Sequence, residues 1–175
     1  MKNVRSIRST LIRAASGLAM AVGVAGAAVA VVPTPAVANP QGSALVRVIN
    51  NATNKCLDSR GGDVYTKTCT GNNNQHWVMV TLDGGQHVIF QNLATARCLD
   101  SNAAGRVYTN PCNTKNHYQQ WRLTSLTMPY TFVSRATGRA LDSNFHKAGH
   151  PDRDLGDVYT LPRNGGNHQN WRAFK

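Results

Sequence analysis

The sequence predicts an all-β domain built from three copies of one four-stranded unit. Three observations predict it. The chain has three tryptophans, and each closes a Gln-x-Trp tripeptide: Gln75-His76-Trp77, Gln119-Gln120-Trp121 and Gln169-Asn170-Trp171. Leu-Asp-Ser recurs at 57–59, 99–101 and 141–143, 42 residues apart at both steps. Val-Tyr-Thr falls between these two markers each time, at 64–66, 107–109 and 158–160. Three markers in one order, three times over, define a threefold internal repeat. A unit this short buries no core alone, so the three copies share one.

The repeats run over about 44–81, 86–124 and 129–175. Each opens on a β-rich stretch (44–49, 87–91, 130–134), and a turn containing Ala-Thr follows. A short strand then carries Leu-Asp, and glycine turns such as 61–62 and 105 lead into the Val-Tyr-Thr strand. A polar loop delivers the Gln-x-Trp strand. Short strands separated by turn signals every 8–12 residues indicate a β-sandwich or barrel, here with twelve strands. Side chains alternate across a strand, which puts Val64 and Thr66 on one face and Tyr65 and Lys67 on the other. Leu57, Val64 and Trp77, with Leu99, Val107 and Trp121 and with Leu141, Val158 and Trp171, are the expected core. Buried tryptophan dominates core energetics, so Gln-x-Trp is first a packing motif. Repeat three breaks the pattern. Residues 144–154 lengthen its Asp-to-Tyr spacing from 7–8 residues to 17 and are expected to form an exposed loop. Gly149 and Pro151 keep His146 and His150 off a common helical face, so no metal site is expected there.

The first 38 residues read differently. Lys2, Arg5, Arg8 and Arg13 precede an apolar run at 14–32, then Pro33, Pro35 and Ala36-Val37-Ala38. This is the pattern of a secretory signal cut after Ala38. A membrane anchor is the competing reading, disfavoured by the weak hydrophobicity of Ala and Gly and by the Ala-x-Ala that follows at once. The expected product is a secreted, extracellular domain of residues 39–175, a monomer with no membrane span. It carries 15 Lys and Arg against 8 Asp and no Glu. That balance favours anionic partners such as acidic or cell-wall polysaccharide or nucleic acid. The charges are scattered rather than clustered, so nothing points to specific nucleic-acid binding.

Export makes disulfides expected for Cys56, Cys69, Cys98 and Cys112. Four cysteines allow three connectivities. Only Cys56–Cys69 with Cys98–Cys112 respects the repeat. Each bridge closes a loop of about 15 residues, worth ~3 kcal/mol in the chain-entropy model. Ala140 and Arg163 stand at the equivalent positions of repeat three.

The Cys-Leu-Asp near the start of a repeat, the second Cys after the Val-x-x strand and the closing Gln-x-Trp resemble the ricin-type lectin repeat, across essentially the whole chain after residue 38. The resemblance implies a β-trefoil, a six-stranded barrel capped by three hairpins. It also implies non-enzymatic carbohydrate binding at up to three shallow sites, without a cofactor. A carboxylate accepts strong hydrogen bonds from adjacent sugar hydroxyls, and by position that role falls on Asp58, Asp100 and Asp142. The family's supporting glutamine falls on Gln75, Gln119 and Gln169. Its asparagine is Asn74 in repeat one but Tyr118 and His168 in the others. The residue that stacks on the sugar falls on Lys67, Asn110 and Leu161, none of them aromatic. Tyr65, Tyr108 and Tyr159 lie two residues earlier on the same face, roughly 7 Å away. An aspartate in a turn also commonly bonds its own backbone.

Two competing functions follow. A trefoil with eroded sugar sites acts through a protein partner, as an inhibitor or toxin-associated subunit, with the 144–154 loop as contact surface. A glycosidase needs two carboxyls about 5–10 Å apart. The threefold symmetry separates Asp58, Asp100 and Asp142, and Asp152, Asp154 and Asp157 show no acid/base arrangement, so no enzyme is expected.

Overall fold

The computed structural model describes residues 42–175; the expected signal segment, 1–38, lies outside them. Twelve strands are found: β1 (Ser43–Asn50), β2 (Cys56–Arg60), β3 (Asp63–Lys67), β4 (His76–Leu82), β5 (His87–Asn92), β6 (Arg97–Ser101), β7 (Val107–Pro111), β8 (Trp121–Leu123), β9 (Phe132–Ser134), β10 (Ala140–Ser143), β11 (Gly156–Leu161) and β12 (Trp171–Phe174). The first and last strands of each repeat close a six-membered ring. β1 pairs with β12 and β4, β4 with β5, β5 with β8, and β8 with β9. A bridge between Tyr130 and Trp171 completes the circle. The middle strands form hairpins β2–β3, β6–β7 and β10–β11. β3 meets both β11 and β7, and an Arg106–Tyr159 bridge joins the third side. This is the β-trefoil, and its closed ring leaves the barrel strands no free edge.

The period-two pattern sets which side chains fill it. Trp77, Trp121 and Trp171 are fully buried, together with Leu57, Leu99 and Leu141. Val64, Val107 and Val158 join them in one core with Val46, Val48, Val88, Phe90 and Phe132. Each indole Nε1–H donates to the carbonyl of the leucine in its own repeat, Leu57 at 3.0 Å, Leu99 at 3.2 Å and Leu141 at 3.0 Å. Both expected disulfides are present, Cys56–Cys69 and Cys98–Cys112.

A short 3-10 turn precedes each Gln-x-Trp strand, at Asn73–Gln75, His117–Gln119 and Asn167–Gln169. The sequence predicts only a polar loop at these places. Asn72 and Asn116 cap the first two, each accepting from the backbone N–H two residues on. A second recurrent turn leads into the hairpins. Asn54, Ala96 and Gly138 occupy the same position and share positive φ, 56°, 55° and 70°. Each donates its N–H back four residues, to Asn50, Asn92 and Ser134. Asn and Gly adopt that conformation readily, and Ala does not. Ala96 is also exposed, so no packing offsets the strain. Ala96→Gly should therefore raise unfolding free energy by about 0.5–1 kcal/mol, the relieved strain less the chain entropy of glycine. Urea unfolding checks this, and a loss of stability contradicts it.

Candidate functional site

The motif glutamines are structural hinges of each repeat. Gln75, Gln119 and Gln169 are buried, and each closes the loop that follows its hairpin. Their Nε2 groups donate to the carbonyls of Thr68, Pro111 and Pro162, all at 3.0 Å. Their Oε1 atoms accept from the N–H groups of Thr70, Asn113 and Asn164 at 2.7, 2.8 and 2.9 Å. In repeats one and two the same Nε2 also donates to the aspartate, at 3.0 Å to Asp58 and 2.9 Å to Asp100. Among the described residues Gln169 makes no such bond to Asp142.

Each aspartate sits directly across its hairpin from a tyrosine: Asp58 from Tyr65, Asp100 from Tyr108 and Asp142 from Tyr159. Cross-strand partners share a sheet face and touch. The tyrosines are thus the aspartates' immediate neighbours, a relation that counting from the stacking position had hidden. The three aspartates are only 2–3% exposed. Burial pushes the Asp58 carboxyl above its ordinary 3.8, against the opposing pull of hydrogen bonds from Gln75 and Tyr65 and of the Lys67 and Arg60 charges. Burial, then the Asp58 charge, pushes the Tyr65 hydroxyl up to about 12. Tyr108 and Tyr159 are raised the same way, by burial and then by Asp100 and Asp142.

The three repeats diverge around this shared frame. In repeat two, Asp100 Oδ2 receives three amides, from Asn110 at 3.1 Å, Asn116 at 3.2 Å and Gln119 at 2.9 Å. Asn110, at the stacking position, is therefore tied to the carboxylate it would help expose. In repeat three, Leu161 holds that position. His168 donates from Nδ1 to the Ser143 carbonyl and meets the Phe145 ring edge-on at 5.4 Å. In repeat one, Asp58 Oδ1 is buried with no well-formed hydrogen bond, as is Asp100 Oδ1 in repeat two. Asn74 is half-buried; its backbone is fixed by Asn72 and Asn92, while its carboxamide has no partner among the described residues.

Residues 144–154 form the expected exposed loop, with a placement the sequence did not predict. They fold back on repeat one. Lys55 Nζ donates to the Phe145 carbonyl at 2.8 Å and reaches the Arg153 carbonyl at 3.5 Å. The Asp154 carboxylate accepts from the N–H and hydroxyl of Thr68, the latter at 2.6 Å. Lys67 pairs with Asp152 at 3.4 Å. The result is a cleft lined by Arg60, Asp63, Tyr65, Lys67, Lys147 and His150, with Asp152 and Leu155 behind them. Lys55 and Lys147 were not singled out from the sequence; a contact across about 90 residues leaves no periodic trace. His146 and His150 bond the loop's own backbone, and the described residues contain no cluster of three or more metal-ligating side chains.

Residues 44–171 match the ricin-type beta-trefoil lectin domain. The chain belongs to this family. No curated protein matches it. Among solved structures, it resembles the designed threefold-symmetric protein ThreeFoil, with 26% identity and TM-score 0.64 over 75% of this chain and 98% of that one. SeviL, solved bound to asialo-GM1 saccharide, shares 14% identity at TM-score 0.60, over 75% of this chain and 96% of SeviL. The cytolethal distending toxin from Actinobacillus actinomycetemcomitans shares 13% at TM-score 0.61, over 73% and 88%. The last two likenesses concern the fold alone.

The raised Asp58 pKa fixes a sign. A carboxyl that holds its proton more tightly when folded costs stability once ionised, and that cost vanishes as pH falls below the unfolded value. Asp58→Asn keeps an oxygen acceptor for Gln75 and removes the buried charge. Its melting temperature at pH 7 should equal or exceed the wild type's, with the difference disappearing below pH 3.8. Calorimetry at the two pH values decides; a lower melting point at pH 7 contradicts the assignment.

Proposed function

We propose that the protein is an exported carbohydrate-binding module with one competent sugar site, in repeat one. The carrying observation is the contrast among the three aspartates. Asp100 Oδ2 is taken by three amides, one of them from the stacking position, although its Oδ1 is buried without a partner. Around Asp142, the flanking positions hold Leu161 and a His168 committed elsewhere. Asp58 shares the unpartnered buried oxygen with Asp100, but its other oxygen receives a side-chain amide only from Gln75, and among the described residues the Asn74 carboxamide of the same repeat is uncommitted. Two vicinal sugar hydroxyls donating to an ionised carboxylate, with an amide donating to one of them, make the stronger class of hydrogen bond. Gln75 fixes Asp58 through its own backbone bonds, so little ordering is left to binding. Family membership supports sugar as the ligand class, as does the saccharide bound by SeviL. The two disulfides fit an oxidising compartment, as does the signal pattern ending at Ala38.

A specific observation favours a protein partner as the second reading. At the barrel end away from the hairpins, a depression of about 540 Å³ is lined by Gly84, Gln86, Arg122, Leu123, Leu126 and Tyr130. Leu126 is fully exposed and Met128 is 45% exposed.

Glycan-panel binding separates these readings. Asp58→Asn should abolish sugar binding, and Asp100→Asn should leave it within about twofold, because three amides already occupy Asp100 Oδ2. Binding should also fade on acidification through a midpoint above 3.8, where Asp58 gains its proton. Absence of binding to every glycan, with a partner captured through Leu126, would move the function to the barrel end.

A further inference from the structure

The cleft on repeat one contains residues that no single repeat supplies. Its floor is the β2–β3 hairpin, where Tyr65 and Lys67 line the opening and Asp58 lies directly across the hairpin from Tyr65. Its wall is the repeat-three segment, pinned at Lys55, Thr68 and Lys67. Inside the segment, the Lys147 N–H donates to the Leu155 carbonyl and the Ala148 N–H to Asp157 at 2.9 Å. Leu155 is buried at 8% exposure and anchors the wall. The opening measures about 310 Å³, the lower end of small-ligand pockets (~300–1,000 Å³).

Charge within the cleft is uneven. Lys67 is neutralised by Asp152. Arg60 and Asp63 face each other across the hairpin turn. Lys147 is in no salt bridge among the described residues, and its Nζ lies 5.5 Å from the centre of the Tyr65 ring. That position matters for recognition. One face of the Tyr65 ring has an ammonium group over it. An ammonium held there attracts an anionic substituent and resists burial against an uncharged one.

We infer that Lys147 is the specificity-determining residue of the repeat-one site and that the ligand is an acidic glycan, with Asp58 taking hydroxyls and Lys147 taking the sugar's anionic group. The inference rests on the proposed lectin function. The shared chemistry is a carboxylate or sulfate on the ring.

Calorimetric titration with size-matched oligomers of neutral galactan, polygalacturonate and sulfated galactan tests it at physiological salt. The exported protein, Lys147→Gln, Lys147→Arg, Asp58→Asn and the distant charge control Lys175→Gln are compared. The expected result is a wild-type preference for one or both acidic oligomers. Lys147→Gln should lower acidic affinity about tenfold, the worth of one charge-assisted hydrogen bond. Neutral binding should stay unchanged or improve, because the Tyr65 ring is bared. Lys147→Arg should largely restore acidic binding, and Lys175→Gln should change nothing. Which acidic oligomer responds identifies the anionic group. Binding lost in Asp58→Asn, with the acidic-to-neutral ratio unmoved in Lys147→Gln, overturns the inference and leaves the lectin reading standing. Equal losses in Lys147→Gln and Lys175→Gln overturn it as bulk electrostatics. Binding to none of the oligomers, or binding indifferent to Asp58, overturns the lectin reading with it.

Discussion

The hydrogen bond from each tryptophan indole to a leucine carbonyl carries the rest of the structure. Trp77, Trp121 and Trp171 lie at the starts of β4, β8 and β12 or one residue inside, on the barrel. Leu57, Leu99 and Leu141 lie on the hairpins above it. A buried indole N–H without a partner costs free energy, so barrel and cap are locked in register three times. The leucine accepting the bond immediately precedes the aspartate in every repeat. The core contact that determines the fold therefore also fixes the backbone from which the site carboxylates project.

On this symmetric frame the chemistry is asymmetric. Arg97 and Arg139 occupy equivalent positions and clamp their own hairpins through the Thr109 and Thr160 carbonyls. Lys55 holds the same place in repeat one and reaches outward to the inserted segment instead. Repeat two has turned its site into an internal amide network around Asp100. Repeat three lacks the disulfide and packs His168 against Phe145. Its added residues also reach across to repeat one. Threefold duplication thus leaves three equivalent frames whose aspartates differ in the groups gathered around them.

Much of this was legible in the sequence because it is periodic. The spacing of Gln-x-Trp, Leu-Asp-Ser and Val-Tyr-Thr gave twelve strands and the buried Leu, Val and Trp of each repeat. Symmetry chose the two disulfides. The aspartate–glutamine pairs of repeats one and two follow from motif positions. What escaped depends on register and on long-range contact. The tyrosines' place opposite the aspartates is a property of hairpin pairing, which shifts when a turn gains a residue. The destination of 144–154 depends on Lys55 and Thr68, about 90 residues away, and no local pattern encodes it. The depth of the aspartates, buried rather than presented, follows from amides and hydroxyls that single positions do not reveal.

The three indoles provide the most direct test of a single live site on a threefold frame. Each indole N–H resonance reports on one repeat, through a bond to the residue beside that repeat's aspartate. Titrating an acidic oligosaccharide into nitrogen-15-labelled protein should shift the Trp77 indole signal progressively to saturation and leave Trp121 and Trp171 in place. Comparable shifts at all three would mean three working sites and would contradict the asymmetry argued from Asp58, Asp100 and Asp142.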